Sequence, residues 1–380
     1  MKRKILTIST VLTLTFSNFV FSQEKEVSFG TNYVKANNEK TSIEINELQE
    51  LTYIIISLTD FGHKNPNLTR QDTQYYQDVK KHFSKYSNLP VVEKFNNLLN
   101  ENIVNYIILS GNAYGFKFKG NKIIPTNVYN FPAKGIGKYE VKTNPIITLS
   151  KDLEKFAKKS NYRKFYKNHE VYYNSLIDEY KNYATINEQK EWLESRFEYK
   201  INSYRVLTSP LISSLNATHT FEDNGFKEML LFLPTIRNDI KWSEVYKKAT
   251  NTRIIFTEID HNYVGPVSAK NLDKINSIFN DRKKWVDENN KGIPHYPNPL
   301  KIYDEYLTWG LFILYSYDKF GNDTKLFTEI IDNVNNMMVN TRGFIKAQEF
   351  NAELLRLYRN STDKKIENLY KPLLDWSAKE

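Results

Sequence analysis

The run IYDEYLTWGLFILYSY, Ile302 to Tyr317, constrains this chain most. It is a strongly apolar helical pattern in which Asp304 and Glu305 are the only acids before Asp318. Glu305 lies one turn before Trp309 and about two turns before Phe312, so the periodicity turns it toward the interior. A carboxylate there is costly unless it is paired or bound to a cation. An Arg or Lys from elsewhere in the chain satisfies that rule, and so does a metal ion; spacing alone leaves both open.

A second stretch, FTEIDHNYVGP from Phe256 to Pro266, gathers Glu258, Asp260 and His261 in otherwise apolar surroundings. Arg253 to Val264 reads as a helix that starts after cap residues Asn251 and Thr252 and stops at Gly265-Pro266. Thr257 and His261 then share a face, four residues apart, with Glu258 beside them. That is the spacing of the H-E-x-x-H motif, in which two imidazoles bind zinc and the glutamate handles the proton of a metal-bound water. Here Thr257 stands where the first His belongs, and a threonine hydroxyl is a poor zinc ligand because it must lose its proton. Asp260 is the nearest substitute in sequence, although it points around the helix. His219 and His169 are the other candidate nitrogen donors, and each also reads as a structural or surface histidine. Tyr263 is placed to donate a hydrogen bond to a developing oxyanion, or else is a core aromatic. The plain alternative for the whole stretch is a helix end that happens to be polar.

The chain has no cysteine, which excludes disulfides, thiolate metal sites and cysteine nucleophiles. Stability must come from core packing, and 380 residues with 26 Tyr and 23 Phe supply the area for it. Residues 1–22 have a basic head (Lys2, Arg3, Lys4) and then an apolar run to Phe21 interrupted by Ser, Thr and Asn, the layout of a secretory signal peptide cut near Ser22-Gln23. A membrane anchor is the weaker reading of so short and hydroxyl-rich a run. Cleavage would remove three of the nine surplus positive charges, leaving a mild, dispersed excess that points away from nucleic acid. No later segment approaches membrane-span length, so the mature chain is expected to have no integral span. There is no P-loop, no G-x-G-x-x-G after a strand and no G-x-S-x-G elbow.

Helices are expected over Asn46–Leu58, with Asn46 as cap, over 71–86, and from Pro90 to about Leu99. Gly115 to Pro125 reads as a hairpin turning at Gly120-Asn121. Gly135 to Pro145 is a loop or edge strand, Ser150 to Tyr183 a long charged helix or helix pair, and Glu188 to Tyr199 more helix. Met229 to Pro234 is a short strand. Lys270 to Asn289 is helical, and so is Asp323 to Trp376, with breaks near Gly343 and Ser361.

Across residues 30 to 375 the order of features resembles a bacterial secreted family, DUF 4932, which is similar to the gluzincin metallopeptidases. The pieces that carry the resemblance are NELQELTYIIISL, DVKKHFSKYSNLPVVEKF, YRKFYKNHEVYYNSLI, TEIDHNYVGP and YDEYLTWGLF. The resemblance implies an α+β fold, predominantly helical and zincin-like, with a small mixed sheet beside the active-site helix. After the signal peptide over 1–22, the chain is divided into an α+β subdomain over 23–145 and a mostly helical gluzincin-like subdomain over 146–380. By the resemblance His261 and Glu305 are metal ligands, with Thr257 in the missing ligand's place, Glu258 is the general base, and the cofactor is zinc. The expected function is peptide hydrolysis by a secreted or periplasmic protein on a peptide or protein substrate. The alternative is an exported pseudo-enzyme that keeps the cleft to bind peptide or glycan. A glycan-acting protein ranks last, because no two acids pair convincingly for that chemistry.

Overall fold

In the computed structural model, residues 25–214 and 216–380 are described; the leader-like stretch 1–22 lies outside the described residues. The chain is α+β, mostly helical, with a small mixed sheet. It opens with α1 (Thr31–Asn37) and β1 (Lys40–Glu44). Then α2 (Glu47–Leu58) starts where expected, because the Asn46 side chain accepts from the backbone N–H groups of Leu48 and Gln49. Helices α3 (Asp60–Lys64), α4 (Gln74–Phe83), α5 (Pro90–Glu101) and α6 (Asn105–Ala113) follow; Thr73 caps α4, and Pro90 opens α5 at a position that needs no N–H.

The hairpin is β2 (Phe116–Lys119) and β3 (Lys122–Pro125), paired Lys119 to Lys122, with Gly120 at φ +60° in its turn. A second small hairpin, β4 (Gly135–Ile136) with β5 (Tyr139–Glu140), precedes α7 (Pro145–Lys159), α8 (Tyr162–Asn168), α9 (Glu170–Tyr183) and α10 (Ile186–Arg196). The long helix or helix pair expected between 150 and 183 is thus three helices, broken where Asn161 takes a left-handed conformation and again at His169.

Three strands then come in succession, β6 (Ser203–Ser209), β7 (Ala217–Asp223) and β8 (Phe226–Pro234). The sheet order is β1-β6-β8-β7; β1, β6 and β8 are parallel and β7 is an antiparallel edge. Asn224 and Gly225, both at positive φ, make the two-residue turn from β7 to β8. Inside the sheet Glu228 is fully buried and satisfied by Ser203 (2.6 Å), Arg205 (3.5 Å) and the hydroxyls of Tyr33 and Tyr129.

The remainder is helical: α11 (Glu244–Ile259), α12 (His261–Lys270), α13 (Leu272–Phe279), α14 (Pro299–Phe320), α15 (Thr324–Asn336), α16 (Ala347–Asn360) and α17 (Ile366–Ser377). One buried cluster gathers apolar residues between Ile45 and Leu176 together with Leu211 and Ile212; another runs from Tyr180 to Leu374. Helix α14 threads the second cluster and is buried from Ile302 to Ser316, which explains its nearly unbroken apolar sequence. No helix among the described residues is long and apolar enough to cross a membrane.

Candidate functional site

The helix carrying Thr257 begins earlier and breaks elsewhere than its sequence predicts. The cap is Ser243, whose side chain accepts from Tyr246 N–H, while Asn251 and Thr252 are interior. Asn251 spends its amide on both the N–H (2.8 Å) and the C=O (2.8 Å) of Arg237, and Thr252 meets Thr185 at 2.9 Å. These polar side chains tie α11 to neighbouring segments instead of starting it. The interruption falls at Asp260, and Gly265-Pro266 lies inside α12. Pro266 is exposed, so water can serve the carbonyl its missing N–H leaves free.

Helix α11 packs on β7, β8 and α14, and this brings the two distant motifs together. His261 Nε2 lies 3.8 Å from Glu305 Oε2, and His261 Nδ1 is 3.2 Å from the Thr308 hydroxyl one turn further along α14. The imidazole side chain keeps 38% of its surface exposed, enough for a ligand to reach it, whereas Glu305 keeps 6%. Burial of the ring's inner side lowers the His261 pKa against the pull of Glu305, which favours the neutral ring.

Glu305 is not alone. Arg342 Nη1 sits 2.6 Å from its Oε1, and Trp309 Nε1–H donates to the same oxygen at 2.8 Å. The Arg342 guanidinium also lies over the rings of Trp309 (5.3 Å) and Tyr296 (5.7 Å) and donates to the Tyr296 hydroxyl. Of the two partners an inward carboxylate admits, the structure shows the arginine. Arg342 follows a π-helical turn, Met337–Thr341, far from Glu305 in sequence, and nothing in the local pattern announces it.

The remaining acids form a crowded, largely dry neighbourhood. Burial, with a smaller push from Glu305, raises the Glu258 carboxyl to about 7, while Asn216 Nδ2, 3.4 Å away, pulls it down. Asp260 is fully buried, its carboxyl oxygens have no hydrogen-bond partner, and burial followed by Glu305 and Glu258 pushes its pKa well up. Asp304 is raised to about 6, mainly by burial. Burial and mutual repulsion thus raise Glu258, Asp260 and Asp304 together, which favours retained protons on these carboxyls.

The other sequence candidates stand apart. The Thr257 hydroxyl donates back to the Arg253 carbonyl at 3.1 Å, satisfied within its own helix. Tyr263 is fully buried, bonded to the Tyr204 hydroxyl and edge-on to Tyr199; it is a core aromatic and offers no donor to the cleft. His169 bonds Phe165 O and packs on Tyr75, in the other core. His219 sits on β7 against Phe221, with the alternation that points Thr218 and Thr220 at Asn262 turning it to the opposite face.

The donors present do not fit a three-ligand zinc centre. An imidazole and a carboxylate converge, the third position is a hydroxyl bonded to backbone, and the carboxylate is already neutralised by Arg342. Among the described residues no group of three or more His, Asp or Glu has the geometry to hold a metal ion.

Beside this cluster lies a cleft of about 800 Å³, bounded by Asn216, Arg253 and Ile254 on one side and Arg70, Arg237 and Trp242 on the other. Asn216 belongs both to the cleft wall and to Glu258, so the two features are continuous. Comparison with known proteins returns nothing: no family model, curated protein or solved structure matches the chain.

Proposed function

We propose that this chain is an exported, non-catalytic peptide-binding protein with a zincin-like arrangement of helix and sheet, in which an arginine has taken over the electrostatic role of a metal ion. The observation that carries the reading is the 2.6 Å contact of Arg342 with Glu305, beside an accessible His261. A guanidinium buried against a carboxylate fixes charge as a bound cation does, but offers no open coordination position for activating water. The means of binding is at hand. Strand β7 is the edge of its sheet, and among the described residues no strand pairs with its outer side, so an extended peptide has backbone groups to meet there next to Asn216 and Asn262.

Hydrogen exchange tests this. A saturating extended peptide should slow exchange within β7, residues 217–223, and Glu258→Gln should bind it as tightly as the parent. Protection that appears elsewhere and spares β7 overturns the reading. A second reading, hydrolysis, is favoured by Glu258, whose carboxyl sits near neutral pH where a general acid or base works best. Peptide cleavage lost in Glu258→Gln would establish that reading in place of the first.

A further inference from the structure

Arg237 and Arg253 line the same cleft, and among the described residues neither lies within ion-pair distance of an acid. Arg253 is half-buried on α11, one turn before Thr257, and Arg237 lies close enough to depress its pKa; burial is the larger cause. Two acids also line the cleft: Asp72 pairs with Arg70 at 3.1 Å, and Asp239 accepts from Lys241 N–H at 2.9 Å, so three arginines face two carboxylates and a net positive charge remains. Arg70 itself reaches across to the Thr235 hydroxyl at 2.8 Å, fixing a third guanidinium at the cleft wall. Like charges held together in a partly dry site are unfavourable unless an anion enters.

We infer that the cleft bounded by Arg70, Arg237 and Arg253 is a binding site for a carboxylate-bearing segment of a peptide. The anion follows from Arg237 and Arg253, which have no ion-pair partner among the described residues and whose planar forks match a carboxylate. The peptide follows from the rest of the wall, where Pro66, Pro234, Trp242 and Ile254 give apolar surface to aliphatic stems, a surface for which a free inorganic anion has no use. Continuity through Asn216 puts the anionic segment next to whatever lies along β7. The peptide half of this inference rests on the function proposed above; the anion half does not.

Calorimetric titration of the full chain with acetylated, amidated tri-glutamate decides it, with tri-glutamine and sodium phosphate as comparison probes. Tri-glutamate should bind and tri-glutamine should not. Arg253→Gln and Arg237→Gln should each weaken tri-glutamate by about tenfold or more, as loss of a charged hydrogen bond does. Arg253→Lys should retain part of the affinity. Arg237 is exposed, so its variant keeps the test alive if an Arg253 variant fails to fold. Equal binding of tri-glutamate and tri-glutamine, or tri-glutamate affinity untouched in both arginine variants, overturns the site. Phosphate binding as tightly as tri-glutamate would overturn the peptide assignment while leaving an anion site. Tri-glutamate bound with no exchange protection in β7 would sink the proposed function and spare the cleft.

Discussion

Arg342→Met is the perturbation that speaks most directly to the site. Removing one partner of a buried ion pair costs about 3–5 kcal/mol, chiefly because the other charge is stranded. Here the loss is smaller. The Arg342 side chain is 29% exposed, and Trp309 Nε1–H still donates to Glu305. Stacking over Trp309 and Tyr296 is lost as well, at about 0.5–1 kcal/mol per ring. Together these give a destabilisation of about 2–3 kcal/mol. Equilibrium urea unfolding at pH 7 measures it as a drop in midpoint at unchanged slope. Glu305→Gln in the Arg342→Met background should recover most of the loss, because a buried pair replaced on both sides is often neutral. A single-variant shift under about 0.5 kcal/mol, within the range of ordinary surface substitutions, refutes the reasoning, as does a double variant no better than the single.

Two further outcomes follow from the same geometry. Thr257→His alone should not create tight zinc binding, because Arg342 still holds Glu305, whereas Thr257→His with Arg342→Met should bind about one zinc ion; equal affinity in both variants by competition with a chromogenic chelator would show that Arg342 is no obstacle. For Glu258 the sign runs toward acid. Its folded carboxyl is raised to about 7 from 4.5, so the folded state binds the extra proton between those values and stability falls as pH rises through that window. Glu258→Gln should therefore gain about 1–3 kcal/mol at pH 8 and almost nothing at pH 4, and a pH-independent effect in urea titrations would contradict the burial of that group.

Helices α2, α4 and α5 were readable because caps and periodicity agree there, whereas the helix expected over Lys270–Asn289 ends at Phe279. Asn46, Pro90 and the Gly120 turn each act locally, and a local rule reads them correctly. Strand β6, SYRVLTS, escaped because its Ser203, Thr208 and Ser209 look like loop residues yet are buried. The Asn224-Gly225 pair was a usable hairpin signal for β7 and β8. At the site, the inward turn of Glu305 was legible from its spacing to Trp309, since both lie on one helix. Arg342 was not, because its position depends on how α14 and the segment after α15 pack, and no window of sequence contains both. The break at Asp260 hid for a similar reason: its residues all have helical character, and Pro266 drew attention to the wrong place.

The strand order has a kinetic consequence. Lys40 and Ser203 meet as neighbours although 163 residues separate them. Closing so long a loop costs entropy before any ladder bond repays it. The helices between can collapse on one another first, leaving β1 as a tail that docks late. Until it does, β6 presents a bare parallel edge that a second chain's β1 fits equally well, so crowded refolding invites strand exchange between molecules.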